Sequence, residues 1–213
     1  MEQEGVIKFD LLFSEAAPVT MDSIHELESW RRILREHQLI GQEPDRYAGY
    51  GYGNVSKRVG SPAAPRGHRP FIISGTQTGG LAHLDNTHYA LVTACDTGHN
   101  RVVAEGPIRP SSESLTHGIL YDLDEDIHFV FHVHSKQLWE SAPGLGIPLT
   151  SPAVPFGTVA MAREVERLFN ESDLATGRLF AMGGHEDGVV AFGHTADATG
   201  RVLLDALAAS QAT

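Results

Sequence analysis

His132 and His134 alternate along an apolar run, His128-Phe-Val-Phe-His-Val-His134, and two imidazoles so spaced can converge on one metal ion. On an extended strand, side chains point to opposite faces with a period of two. Phe129, Phe131 and Val133 then share one face, and Val130, His132 and His134 share the other. The two histidines lie about 7 Å apart at Cα, twice the strand rise, within reach of a common cation. Burying a strand does not require this pattern, although a polar pair on a solvated face is its ordinary alternative. A third ligand is available at His185, in a turn between two apolar strands. The glycines around it let the backbone approach other elements. Three neutral imidazoles with an open fourth position compose a catalytic zinc-type site. The alternative for His185 is an exposed hairpin tip.

A carboxylate, Glu113, opens the segment leading into the His strand. The helix dipole favours an acid in a first turn, so the position alone has a structural explanation. Beside a metal, the same group can serve as ligand or as general base. His117, four residues on, shares its helical face in a supporting position. Three further segments carry anion-binding potential: Gly53-Asn54-Val55-Ser56, Ser74-Gly75-Thr76 and Ser111-Ser112. Each pairs hydroxyl or amide donors with a flexible or helix-initiating backbone, which suits phosphate oxygens. Gly51 and Gly53 are not a dinucleotide fingerprint, because no strand–turn–helix context surrounds them.

The elements that must hold these groups are partly visible. Ile24, Leu27, Trp30, Ile33 and Leu34 follow helical spacing between Asp22, a candidate cap, and Gly41, a candidate stop. Residues 71–74, 89–96 and 101–105 are predicted strands from their β-branched and aromatic content. A helix capped by Ser111 or Ser112 precedes the His strand, and a second covers residues 159–169. Residues 179–192 form two strands joined by Gly-Gly-His-Glu-Asp-Gly, and a last helix spans about 196–207. Residues 60–70 and 144–155 are Pro/Gly loops, and residues 1–20, without clear periodicity, form an arm. Several strands in a row, then helix–strand alternation, predict a largely antiparallel central sheet flanked by helices.

Composition narrows the function classes. With 213 residues and 41% hydrophobic content, the chain is sized for one domain with a substantial core. No stretch approaches the ~20 apolar residues of a membrane helix, and the amino terminus is unlike a secretory leader. A lone cysteine, Cys95, allows no intrachain disulfide, which suits the cytoplasm. A net charge of -11 argues against nucleic acid as the main partner. Nine of the twelve histidines fall between His83 and His194. Lys8, Lys57 and Lys136 are the only lysines. None sits in an apolar stretch that would depress its pKa, which argues against a Schiff-base mechanism.

Taken in order, these motifs resemble the class II aldolase/adducin family over roughly residues 24–207. Gly53-Asn54-Val55-Ser56 resembles its G-N-x-S element and Ser74-Gly75 its S-G. Pro110-Ser111-Ser112-Glu113, with His117 and Tyr121, resembles its P-S-S-E…H…Y segment. His132-Val-His134-Ser135 resembles H-x-H-S, and His185 with Gly188-Val-Val and Gly193 resembles the family's final His strand. The resemblance implies an α/β fold of three layers, α/β/α, around a mixed nine-stranded sheet, with fourfold-symmetric tetramers holding sites between subunits. It implies one divalent metal per subunit on His132, His134 and His185, most often zinc, with manganese, cobalt, nickel or iron as alternatives. Glu113 takes the acid/base position, and Asn54, Ser74, Gly75, Ser111 and Ser112 hold a substrate phosphate. The activity implied is aldol cleavage of a small, phosphorylated sugar or hydroxy-ketone through a metal-stabilised enediolate. Dehydration, decarboxylation or epimerisation on the same metal, or a non-catalytic adducin-head-like interaction role, are the alternatives. Three features depart from the family pattern. No tyrosine follows Tyr121 to serve as the family's proton donor, and Trp139 stands in the loop after the His strand. The segment 75–81 is elaborated. Glu186 and Asp187 are inserted after His185, where they are expected to be solvated at the turn, a ligating role being the alternative.

Overall fold

A computed structural model of the chain describes residues 5–212. In chain order the elements are β1 (Asp10–Glu15), α1 (Met21–Glu36), β2 (Gly41–Gln42), β3 (Gly51–Tyr52), β4 (Asn54–Arg58), β5 (Phe71–Ser74), β6 (Tyr89–Asp96), β7 (Arg101–Gly106) and α2 (Ser114–Leu123). There follow β8 (Phe129–His134), α3 (Lys136–Ser141), α4 (Val159–Glu171), α5 (Leu174–Gly177), β9 (Leu179–Ala181), β10 (Gly188–Gly193) and α6 (Ala196–Gln211). The main sheet has the order β1-β7-β6-β5-β4-β8-β10-β9. Its β1–β7 pair is parallel and the other pairs are antiparallel, so the sheet is mixed and largely antiparallel as expected. It has eight strands rather than nine, and β2 and β3 form a separate two-stranded ribbon.

The alternating pattern of each strand feeds two cores. Phe71, Ile73, Val130, Val190 and Phe192 pack on one face beneath α2, α4 and α5, with Leu120, Met161, Val165 and Leu174. Val55, Ile72, Phe129, Phe131, Val133 and Val189 face the other way, onto Ile24, Leu27 and Leu34 of α1, Leu138 of α3 and Leu203 of α6. Three layers result, and every residue of β8 is buried. Each fully buried aliphatic or aromatic side chain contributes about 1.5–3 kcal/mol, so the central strand is the most firmly held element of the site.

Several local expectations are corrected. The amino-terminal segment is not simply an arm. Asp10–Glu15 is an edge strand on β7, with Phe9 buried and Leu11 and Phe13 leaning on the core. Its half-exposed, charged character hides the alternation. Helix α1 starts after Thr20 rather than at an Asp22 cap, and it stops at Glu36, where Gln38 takes a left-handed φ of 58° well before Gly41. Helix α2 has Glu113, not Ser111 or Ser112, at its N-cap position. Trp139 lies on the short helix α3, not in a loop.

Helix α2 is seated on the sheet through Gly118, where an added Cβ would collide with Cys95 Sγ and lie only 2.8 Å from Cys95 Cβ. Replacing a helix glycine by alanine ordinarily stabilises by up to about 1 kcal/mol. Here overpacking, at about 1–3 kcal/mol, outweighs that gain. Gly118→Ala is therefore expected to lower the urea midpoint, and adding Cys95→Ala to recover part of the loss. Unchanged or raised stability in Gly118→Ala would show that α2 is not seated this way.

Candidate metal centre

The register of the central strands assembles the site. β8 runs between β4 and β10, with Asn54 opposite His132 and Gly188 opposite His134. His132 and His134 lie on the face covered by α2, as the period of two requires. His185 arrives from the β9–β10 connection, whose turn is closed by His185 N–H to Met182 O at 3.1 Å and Gly188 N–H to His185 O at 2.9 Å. Trp139 Nε1 also donates to Met182 O, at 2.9 Å, pinning the turn to α3. The ring centroids of His132, His134 and His185 are 4.7–5.0 Å apart. One potential ligand atom from each lies within 4.8 Å of the others, and all three residues are buried.

This geometry suits a divalent cation. Burial pushes the His132 and His134 pKa values well down, reinforced by the nearby His185, so both imidazoles are neutral and carry a lone pair. His132 Nε2 is buried without a hydrogen-bond partner, which in an ordinary core costs about 1–3 kcal/mol. A cation would satisfy it. At the opposite ring nitrogen, Asn54 Nδ2 lies 3.1 Å from His132 Nδ1; turning this amide over would place its unpartnered Oδ1 there as an acceptor and leave the Nε2 lone pair for a cation. Metal-bound histidines commonly donate this second N–H to an oxygen acceptor.

Each ring has its own support. Phe156 stacks on His185 at 4.1 Å and 21°, and the Lys8 ammonium sits 3.6 Å over the Phe156 ring. Tyr47 meets His134 edge-on at 4.7 Å, and Tyr52 lies 5.5 Å from the same ring. His117 does not point at Glu113. Its Nδ1 lies 2.6 Å from Ser56 Oγ, itself 2.6 Å from Tyr121 Oη, and burial drives its pKa down to about 3. It ties α2 to β4 as a neutral ring.

Glu113 is 1% exposed. Thr116 Oγ1 donates to its Oε2 at 2.7 Å, and its Oε1 lies 3.9 Å from His185 Nδ1. The expected anion-binding residues gather beside it. Ser74 Oγ accepts from Val55 N–H at 3.2 Å, next to Asn54. Gly75 bridges to Pro110, bringing the Ser74-Gly75 segment against Ser111 and Ser112. Ser111 Oγ in turn accepts from Glu113 N–H at 3.2 Å. Some of these donors are already engaged: Gly75 N–H donates to His88 O at 2.9 Å. The elaborated loop beyond Gly75 is held by Arg31 of α1, whose guanidinium donates to Thr78 O at 2.9 Å and Leu81 O at 2.7 Å.

Asp187 corrects an expectation. It is 6% exposed rather than solvated, and accepts a 2.6 Å hydrogen bond from Tyr47 Oη. Glu186, beside it, does face solvent. Tyr47, Tyr52, Phe156 and Lys8 are not singled out by the sequence. For the tyrosines a signal exists, three phenols at 47, 50 and 52 crowded into a glycine-rich run directly before Gly53-Asn54. Phe156 and Lys8 offer none.

A buried trio of imidazoles with an adjacent carboxylate lies on a three-layer mixed sheet, an α/β arrangement that could hold a divalent metal. The chain belongs to the class II aldolase and adducin N-terminal domain family, whose model matches residues 44–212. The comparison with curated proteins gives no match. Among solved structures the chain is similar to an L-fuculose 1-phosphate aldolase, with a TM-score of 0.64 and 18% identity over 91% of this chain and 85% of that one. It is similar to L-fuculose-1-phosphate aldolase from Thermus thermophilus, with a TM-score of 0.60 and 17% identity over 88% and 90% of the two chains. It also matches a sugar-phosphate aldolase from Thermotoga maritima, with a TM-score of 0.60 and 18% identity over 88% and 92%. At these identities the likeness is one of fold. Among the described residues no helix is long and apolar enough to cross a membrane.

The buried histidines set a pH dependence. Their folded pKa values lie below the ordinary 6.5, so as pH falls through that value the unfolded chain binds protons the native state excludes. Stability is then lost on acidification, by about 1.4 kcal/mol per pH unit for each ring that stays neutral. The metal-free protein is expected to show a Tm that falls steadily from pH 7 to pH 5 in differential scanning calorimetry. A flat or rising Tm would contradict neutral burial of these rings.

Proposed function

We propose that the chain is a metal-dependent carbon–carbon lyase, an aldolase acting on a small, phosphorylated sugar or hydroxy-ketone. The observation that carries this reading is the convergence of His132, His134 and His185 with a buried carboxylate 3.9 Å from one of them. Structural imidazole clusters need no such acid. Zinc is the ion we favour, since three neutral imidazoles suit it, while cobalt, nickel, iron or manganese remain within the range of the donor set. Such an ion, when bound, supplies Lewis-acid stabilisation of negative charge on substrate oxygens, worth several kcal/mol.

The chain's own residues supply the rest. Glu113, held by Thr116 through Oε2, presents Oε1 on the side of His185 and carries the proton to or from the reacting carbon. Its burial excludes water, which strengthens every charge interaction there. Asn54, Ser74, Gly75, Ser111 and Ser112 are the groups we assign to the substrate phosphate; supporting this, Asn54 neighbours His132 and Ser111 accepts from Glu113 N–H. Lysine chemistry is not supported by the placement of these groups. Lys57 pairs with Glu26 at 2.6 Å and Lys136 with Glu140 at 3.9 Å, and Lys8 is separated from His185 by the Phe156 ring. The family resemblance further supports a homotetramer, and the lone cysteine suits a cytoplasmic setting, which light scattering and fractionation test.

Glu113→Gln is expected to lower kcat by about 10²–10⁴-fold while leaving the metal content unchanged. His132→Ala is expected to lose the metal. The assay follows cleavage products across a panel of phosphorylated and free sugars and hydroxy-ketones, with metal measured by mass spectrometry. Full activity in Glu113→Gln, or products that retain the carbon skeleton, would overturn the lyase assignment.

A further inference from the structure

The ribbon made by β2 and β3 carries a second layer of interactions onto the metal centre. Tyr47 sits at its tip, half-buried, with its ring edge-on to His134 at 4.7 Å. Its hydroxyl donates to Asp187 Oδ2 at 2.6 Å and accepts from Arg46 Nη2 at 2.7 Å. Arg46 also lies 3.7 Å from the Asp187 carboxylate and donates to Tyr52 Oη at 3.2 Å. Asp187 is two residues beyond His185, and its carbonyl accepts from Ser135 N–H at 2.9 Å, one residue beyond His134. One phenol thus touches a ligand from β8 and is hydrogen-bonded to the turn that carries the ligand from the β9–β10 connection.

The backbone is bent to allow this. Tyr47, Ala48 and Asp187 have φ values of 49°, 55° and 62°, a region that non-glycine residues rarely occupy. Strained conformations of this kind persist where surrounding structure over-determines them, and they concentrate at functional sites. Packing of the ribbon tip does not explain them, because Ala48 is exposed and Arg46, Tyr47, Gly49 and Tyr50 are only partly buried. What Tyr47 does contact, beyond its neighbours Arg46 and Tyr52, is His134 and Asp187.

We propose that Tyr47 is a positioning residue of the metal centre, a clasp that locks His134 and the His185 turn into a preformed site and so sets metal affinity. This rests on the metal reading of the three histidines. The ring restricts His134, the hydroxyl fixes Asp187, and Arg46 orients the hydroxyl between them. Outer groups that orient metal ligands typically change affinity by about 10–100-fold when removed.

The test compares the full-length wild type with Tyr47→Phe, Tyr47→Leu, Asp187→Asn and the Tyr47→Phe/Asp187→Asn double variant. Phenylalanine keeps the ring and loses the hydroxyl's bonds to Asp187 and Arg46, while asparagine tolerates the left-handed backbone at 187 and keeps an oxygen acceptor, removing only the carboxylate charge. Zn2+ affinity is measured by chelator competition, and ligand geometry by the visible spectrum of the Co2+-loaded protein. Circular dichroism and thermal unfolding of the metal-free variants verify that the fold is retained. Tyr47→Phe is expected to weaken Zn2+ binding by about 10-fold and shift the Co2+ bands, and Asp187→Asn, which keeps an acceptor for the Tyr47 hydroxyl, to weaken it less. The double variant is expected to lie close to Tyr47→Phe, since the hydroxyl from which residue 187 accepts is already gone, and Tyr47→Leu to bind more weakly still. Folded Tyr47→Phe with wild-type Zn2+ affinity and an unchanged Co2+ spectrum would overturn the clasp while leaving the metal centre standing. A wild-type chain that takes up neither ion would overturn the metal reading, and the clasp with it.

Discussion

Three imidazoles closed off from water in the interior of a sheet protein impose the constraint on which the site depends. Neutral histidine is tolerated inside a protein only when its nitrogens find partners, and a charged one is costly to bury. Here desolvation drives His132 and His134 to the neutral form, and His132 Nε2 is buried without a hydrogen-bond partner. A cation satisfies such nitrogens and protons do not, because three like charges so close together would repel. The arrangement is therefore a poor core and a good ligand set.

The fold meets this constraint by placing the ligands on its firmest element. β8 is central in the sheet, buried on both faces, and paired on both edges. The third ligand comes from a tight turn, which is positioned by Trp139, by the Ser135–Asp187 backbone bond and by the stack of Phe156 on His185. The acid comes from yet another place, the start of α2, a helix buried along most of its length and tied to β4 through His117, Ser56 and Tyr121. Strand, turn and helix terminus are stiff by different means, and their meeting point is small. Loops contribute the surroundings of the Ser74-Gly75 segment. Arg31 gives the segment after Ser74-Gly75 a fixed shape by hydrogen-bonding its carbonyls from beneath.

The histidine cluster was legible in the sequence because its logic is local. Period-two alternation separates His132 and His134 from Phe129, Phe131 and Val133, and the strand register preserves that separation. His185 was legible because glycines frame it between two apolar runs, which became β9 and β10. Groups whose role depends on distant partners were not. Asp187 reads as a solvated turn acid until Tyr47, 140 positions away in sequence, supplies its hydrogen bond. Helix caps shifted by one or two residues, to Thr20 and Glu113, and neither makes the side-chain capping hydrogen bond on which reading a cap from residue type relies. β1 was missed since an edge strand with charged ends buries too little to alternate clearly. The ninth strand implied by family resemblance is absent from the main sheet among the described residues, and a short ribbon packs nearby instead.

X-ray absorption spectroscopy on the Zn2+-loaded protein interrogates the central claim most directly, because it counts imidazoles around the ion itself. Three histidine nitrogens at about 2.0–2.1 Å, falling to two in His185→Ala, is the expected result. A zinc shell with fewer than three imidazoles in the wild type, or one unaltered by losing residue 185, would contradict a centre drawn from both segments.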